Sequence, residues 1–270
     1  MSTEAINASA LAAGKKALAP GVIPGKFPER FVFVTISGAH LYGFPSPDSD
    51  VDLRGAHVLD AVEALGLHAP NETFESSSAV VDGIEVDCVS HDLRKYLLLL
   101  TKKNGYVLEQ IFSPLVVFDS GQLGELRMLA RGAMTRHVVH HYLGFFATEE
   151  RLVRKAERPT AKSVLYLFRV VMTGLHLLRT GEVECNVLRL NDEHFKLPYI
   201  RDLVQLKMAG TEKGVLESAQ LERFLADAKT LEAQLKPAAD NSILPDAVQN
   251  MRALNDFLIR NRLVTLTGKS

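Results

Sequence analysis

Asp50 and Asp52 are separated by one residue in the run Ser49-Asp50-Val51-Asp52-Leu53-Arg54-Gly55, where apolar Val51 and Leu53 alternate with charged neighbours. That is the pattern of a strand, in which residues two apart project to the same face with their Cα atoms roughly 7 Å apart. Two carboxylates so placed need a cation, and hard oxygen donors favour Mg²⁺ or Mn²⁺, which also bind triphosphate oxygens. A second acidic strand is expected over Gly83-Ile84-Glu85-Val86-Asp87-Cys88-Val89, with Glu85 and Asp87 on one face. Spacing alone does not choose between those two. Three carboxylates with two metals suit in-line phosphoryl transfer, one metal holding the triphosphate and the other activating the attacking hydroxyl. An isolated Asp-x-Asp in a turn, by contrast, is ordinarily solvated or structural.

The context makes the acidic pair more specific. Phe31-Val32-Phe33-Val34-Thr35-Ile36 is a β-branched and aromatic run that stops at Ser37-Gly38, the pattern of a strand covered on both faces. The chain then passes His40, Tyr42 and Gly43 and returns through Pro47-Asp48-Ser49 into the Asp-x-Asp strand. A glycine turn alone serves chain reversal as readily as phosphate binding. His40, inside it, is placed either to donate to a phosphate or to stabilise the turn.

The run Gly38-Ala39-His40-Leu41-Tyr42-Gly43 followed by Ser49-Asp50-Val51-Asp52 resembles the Gly-Ser-x-x-x-Gly and Asp-x-Asp signature of the polymerase-β nucleotidyltransferase superfamily. Tyr42-Gly43, Pro47-Asp48-Ser49-Asp50 and Leu53-Arg54-Gly55 are similar to a nucleotidyltransferase family associated with bacterial and phage RNA-repair ligases. Asp87 with Leu93-Arg94-Lys95-Tyr96-Leu97 resembles that family's third-carboxylate strand and following helix, and this selects Asp87 over Glu85. The likeness runs over residues 30 to 210. It extends to the helix from Lys162 to Gly181, which resembles the family's Lys, His or Tyr, then Arg helix ending in a Thr-Gly turn.

The resemblance implies a metal-dependent enzyme that transfers a nucleoside monophosphate from an NTP to a hydroxyl and releases pyrophosphate. Asp50 and Asp52 would hold both metals, Mg²⁺ or Mn²⁺, and Asp87 the second metal while assisting deprotonation of the nucleophile. Gly38, Ala39, His40, Tyr42, Gly43, Ser49 and Arg54 are the implied nucleotide contacts. The implied acceptor is an RNA end in RNA repair, with RNA-ligase pathway partners; a protein or small-molecule acceptor is the alternative. One departure matters: the superfamily serine falls on Ala39, which has no hydroxyl to donate although its backbone N–H remains. Ala39 therefore also motivates a nucleotide-binding regulator with a degenerate centre.

Lys162, Tyr166 and Arg169 fall at i, i+4 and i+7 of one expected helix and share a face. With the resemblance, Lys162 and Arg169 are expected to clamp the β and γ phosphates; without it, the face is a solvated cationic stripe. His137, His140 and His141 have helical spacing, but no Glu accompanies them in a zinc-protease arrangement, so packing or partner contact is the expected role. Arg94, Lys95, Lys102 and Lys103 form either an RNA-backbone track or a solvated helix face.

The elements that must position these residues divide in character along the chain. Strand signals dominate to about residue 120: after the acidic strand, Asp92 is expected to N-cap a helix over Leu93 to Lys103, and Val116-Val117-Phe118 adds an edge strand. Helical periodicities follow near 135–156, 160–180, 216–235 and 246–262, broken by Pro159, Gly181 and Pro245. The expected fold is α/β. A polymerase-β-like nucleotidyltransferase domain with a mixed sheet spans 29–120, and a mainly α-helical nucleotide- and acceptor-binding domain spans 121–270. Residues 1–28, rich in Ala, Gly, Pro and Lys, read as a flexible arm with room for a short helix near Ala5 to Ala17.

Bulk properties set the remaining bounds. With 47% apolar and 23% charged residues in 270, the chain has the composition of a globular protein with a sizeable core. A net charge of -1 advertises neither nucleic acid nor an anionic membrane, so any RNA would meet a local basic surface. Cys88 and Cys185 lack metal-ligand pairing, which argues against a zinc site or a disulfide framework and fits a reducing cytoplasm. The N-terminus places Lys15 and Lys16 where a signal peptide is apolar, and Leu97 to Leu100 are too few to span a bilayer, so neither export nor membrane insertion is expected.

Overall fold

A computed structural model describes residues 2–24, 28, 30–210 and 214–266. Its strands are β1 (Phe31–Ile36), β2 (Val51–His57), β3 (Thr73–Glu75), β4 (Ala79–Val81), β5 (Ile84–Asp92) and β6 (Val116–Asp119). Helices α1 (Thr3–Ala17), α2 (Gly38–Tyr42), α3 (Ala61–Leu65), α4 (Leu93–Thr101), α5 (Gly105–Phe112) and α6 (Leu123–Ala133) are interspersed with them. After β6 come α7 (Val139–Lys155), α8 (Ala161–Thr180), α9 (Val187–Leu190), α10 (Ile200–Met208), α11 (Ser218–Glu232), α12 (Leu235–Asp240) and α13 (Met251–Leu266). The chain forms two compact units, each discontinuous in sequence. A single cut near Gly121 does not reproduce this division: α6 and α13 belong to the sheet unit, and Ala39–Pro47 belongs to the helical unit.

The sheet unit comprises Asn7–Gly38, Asp48–Ala133 and Ala247–Ser270. Its strands run in the order β3-β5-β2-β1-β6, with β4 also paired to β5. Only β2 and β5 are parallel, so the sheet is mixed, and β6 is an edge strand as expected. Alternation along the strands sorts the residues by face. Val34, Ile36, Val51, Leu53, Val86 and Cys88 form one buried layer, against which α1 sets Ala10, Ala13 and Ala17. Thr3–Ala17 is thus a packed helix, at the place where the sequence leaves room for a short one; residues 1, 25–27 and 29 lie outside the described set. The opposite face is covered by α4 and α5: Phe33 meets Tyr96 edge to face at 5.5 Å, and the Thr35 hydroxyl donates to the Gln110 carbonyl at 2.9 Å.

Asp92 closes β5 and opens α4, accepting from the Arg94 N–H at 3.0 Å, as an N-cap must. It is fully buried, and the Arg262 guanidinium of α13 supplies its counter-charge at 2.6 Å while also donating to the Leu59 carbonyl. That ion pair ties the C-terminal helix to the sheet unit.

The helical unit is organised around α8, an apolar helix whose residues from Leu167 to Leu175 are all buried. Thr160 and Ser163 form a reciprocal capping box at its start, and Gly181 at φ 75° ends it by donating to the Leu177 carbonyl at 2.8 Å. Gly174 lets α7 approach: an added Cβ would lie 2.7 Å from the Tyr142 ring. Among the described residues α8 alone is long and apolar enough to cross a membrane, but its surface is spent on packing within this unit.

Candidate active site

The parallel pairing of β2 with β5 sets Asp52 directly opposite Asp87. Adjacent strands lie about 4.8 Å apart, so two carboxylates in register repel unless a cation intervenes. Arg54, two residues beyond Asp52 and on the same face, provides one. Its Nη1 donates to Asp87 Oδ1 at 2.6 Å and to the Leu53 carbonyl at 2.8 Å; its Nη2 donates to Asp52 Oδ1 at 2.8 Å and to Asp87 Oδ2 at 3.4 Å. The three side chains are only partly buried, 33% and 35% exposed for Asp52 and Asp87 and 15% for Arg54, so ligands can reach the cluster. Burial lowers the Arg54 pKa, but its hydrogen bond to Asp87 and the charges of Asp52 and Asp87 outweigh that and hold it above its ordinary value. Cys88, beside Asp87 but on the apolar face, has its thiol pushed up to about 12 by burial and offers no thiolate.

Asp50 is exposed one residue ahead of β2, Ser49 is partly buried, and Glu85 is exposed two residues before Asp87. Gly38 stands at φ 63°, and a Cβ there would meet Asp52 Oδ2 at 2.0 Å, so only glycine lets the Asp52 carboxylate lie against the turn. The Ser37 N–H donates to the Asp52 carbonyl at 2.9 Å. Its hydroxyl is buried with no hydrogen-bond partner among the described residues, a feature that the sequence reading passed over as the end of a strand.

The donor chemistry of this cluster fits a divalent cation. Asp52 and Asp87 present hard oxygens side by side, and Asp50 follows the same alternation. As arranged, however, Oδ1 of each accepts from Arg54, and no group of three or more His, Cys, Asp or Glu that could hold a metal is found among the described residues.

Other residues singled out from sequence lie in the helical unit. Ala39 and His40 are buried in α2. Tyr42 is also buried: the Arg169 guanidinium of α8 stacks over its ring at 3.9 Å, and Tyr166 meets it edge to face at 5.6 Å. Gly43 at φ 88° packs on Asn186, whose side chain caps α9; an added Cβ would lie 2.4 Å from Asn186 Oδ1. Lys162 is exposed in the first turn of α8, whereas Arg169 is wholly buried, over Tyr42 and 5.1 Å from the Phe145 ring. The two cations therefore do not form one exposed stripe.

The histidine cluster divides similarly. His137 stacks on His140 and lies 3.5 Å from Asp246, whereas burial and the nearby Arg169 charge lower the His141 pKa to about 4. In the sheet unit Arg94 pairs with Glu72 and Lys95 donates to Thr73, while Lys102 and Lys103 are exposed.

Comparison with known proteins supplies independent information. The model of the RNA repair pathway DNA polymerase beta family matches residues 15–260. The uncharacterized protein MJ0002 of Methanocaldococcus jannaschii is 34% identical over 159 residues, 58% of this chain and 63% of that protein, a little under two thirds of its length. The uncharacterized protein YcgL of Bacillus subtilis is 23% identical over 240 residues, 82% of this chain and 91% of that protein. The match includes the acidic strands, the glycine turn and α8.

Proposed function

This chain belongs to the RNA repair pathway DNA polymerase beta family, and from that premise we propose that it transfers a nucleoside monophosphate from an NTP to an acceptor hydroxyl, releasing pyrophosphate. The observation that carries the reading is the pairing of Asp52 with Asp87 across parallel strands, on a partly open face beside a glycine turn. Asp50, Asp52 and Asp87 would hold Mg²⁺ or Mn²⁺. When bound, the metal supplies charge neutralisation for the triphosphate and lowers the pKa of the attacking hydroxyl.

The protein's own groups do the positioning. Asp87 is rigidly based in the middle of β5 and would accept the proton of the acceptor hydroxyl at a carboxylate oxygen. Gly38 lets the turn lie against Asp52, and the backbone N–H of Ala39 takes the part of the missing serine hydroxyl toward phosphate. Lys162, an exposed cation in the first turn of α8, would meet the triphosphate. Arg169 serves through Tyr42, holding the aromatic residue of the turn, rather than by touching phosphate itself.

The family's RNA-repair description supports an RNA end as the acceptor, and the motif resemblance to a family associated with RNA-repair ligases supports RNA-ligase pathway partners. The experiment is incubation with α-labelled NTPs, Mg²⁺ or Mn²⁺, and separate RNA and protein acceptors. Label on RNA is the expected result. Label on protein would reassign the acceptor, and nucleotide binding without transfer to any acceptor would contradict the catalytic reading.

A further inference from the structure

The fork of Arg54 holds Oδ1 of both Asp52 and Asp87, two of the carboxylates that would hold a divalent cation at this site. This inference rests on the nucleotidyltransferase reading and deepens it. We propose that Arg54 is a built-in counter-cation that holds Asp52 and Asp87 together in the metal-free protein, and that metal loading requires its guanidinium to leave Asp52 Oδ1 and Asp87 Oδ1.

The argument begins with charge. Two carboxylates in register on neighbouring strands carry two negative charges, and a parallel pair cannot relieve them by shifting one residue, because that would turn Leu53 and Cys88 out of the core. A guanidinium two residues along β2 neutralises one of those charges without leaving the sheet. Its planar fork makes four contacts, to both carboxylates and to the Leu53 carbonyl, more than the three N–H groups of an ammonium can supply.

Geometry makes the arrangement exclusive. The Arg54 side chain is only 15% exposed, and Nη1 is also anchored on the Leu53 carbonyl, so the guanidinium sits within the cluster and not at its rim. Asp52 Oδ2 lies close against Gly38, and Arg54 holds Oδ1. Asp52 and Asp87 would hold the metal, and their negative charge is already shared with the guanidinium, so the two cations would compete for them. By linkage, each weakens the other's hold equally.

The consequence is a site that binds free metal poorly until a metal–triphosphate complex brings further ligands. Manganese binding to the nucleotide-free protein tests this by calorimetry. Arg54→Gln is expected to bind Mn²⁺ more tightly than wild type by about tenfold or more, with Arg54→Lys between them. Circular dichroism checks that the variants are folded. Should Arg54→Gln fail to fold, the wild-type protein still decides the matter: the Arg54 side-chain N–H resonances should shift on titration with Mg²⁺. Equal or weaker Mn²⁺ binding by folded Arg54→Gln, or Arg54 resonances unmoved by saturating Mg²⁺, would overturn the inference and leave the nucleotidyltransferase reading intact. No metal binding by any of these proteins, with or without NTP, would contradict both.

Discussion

At the scale of single residues, Asp52 and Asp87 are distinguished from their acidic neighbours by register. Asp52→Asn and Asp87→Asn should each lower nucleotidyl transfer by several orders of magnitude with little change in fold, because phosphoryl transfer depends heavily on charge stabilisation. Glu85→Gln, on the exposed start of β5, should leave most activity. Steady-state rates decide the ranking, and greater damage from Glu85→Gln would contradict it. Gly38→Ala should be nearly as harmful as the loss of Asp52, since its methyl would collide with Oδ2 at a positive φ. Near-normal turnover of Gly38→Ala would show that the Asp52 carboxylate need not lie against the turn. The alternation of Asp50, Asp52 and Arg54 was readable from a period of two. That Asp52 faces Asp87 was not, because register between strands over thirty residues apart is set by core packing and not by either strand's own pattern. Arg54 entered only through a family motif, although its place on the Asp52 face was available from the same period.

At the scale of elements, α8 was found within one residue of its expected limits because Pro159 and Gly181 mark its ends. Its cations were harder to read: one face of the helix is exposed at Lys162 and buried by Arg169, since the turn containing Tyr42 covers the second position. Arg169→Ala should therefore lower stability in urea by roughly 3 kcal/mol, as the loss of a large buried side chain does, while Lys162→Ala should leave stability alone and weaken NTP binding. Equal stability of the two variants would contradict the separation. Gly174→Ala should cost about 1–3 kcal/mol by driving a methyl into Tyr142. Helix α1 was underestimated for a physical reason. Its buried face is Ala10, Ala13 and Ala17, and Gly14 brings the helix within contact of Leu53 and Val117, so close approach replaces the large apolar residues by which a packed helix is usually recognised. Strands β3 and β4 were missed because three-residue strands carry too little periodicity.

At the scale of the whole molecule, composition revealed the change from strand to helix but not that each unit is assembled from separated segments. The return of α13 to the sheet unit depends on Arg262 meeting buried Asp92, a contact 170 residues apart in sequence that no local signal announces. Each unit also holds a histidine that resists protonation: burial lowers His57 and His141 to about 4. Below about pH 6.5 the unfolded chain takes up protons that the folded chain refuses, so stability should fall as pH drops from there to about 4, by on the order of 3 kcal/mol per histidine. Urea unfolding at about pH 7 and pH 4.5 should show that loss, reduced in a His57→Gln, His141→Gln double variant; an unreduced loss would assign it to other groups. The central claim concerns the bond that is broken in the triphosphate. Parallel reactions with α-labelled and γ-labelled NTP, Mg²⁺ and an RNA acceptor test it most directly. The expected result is α label on the acceptor, γ label in pyrophosphate, and neither product with Asp52→Asn; γ label on the acceptor, or no turnover by the wild-type protein with any NTP and acceptor, would contradict it.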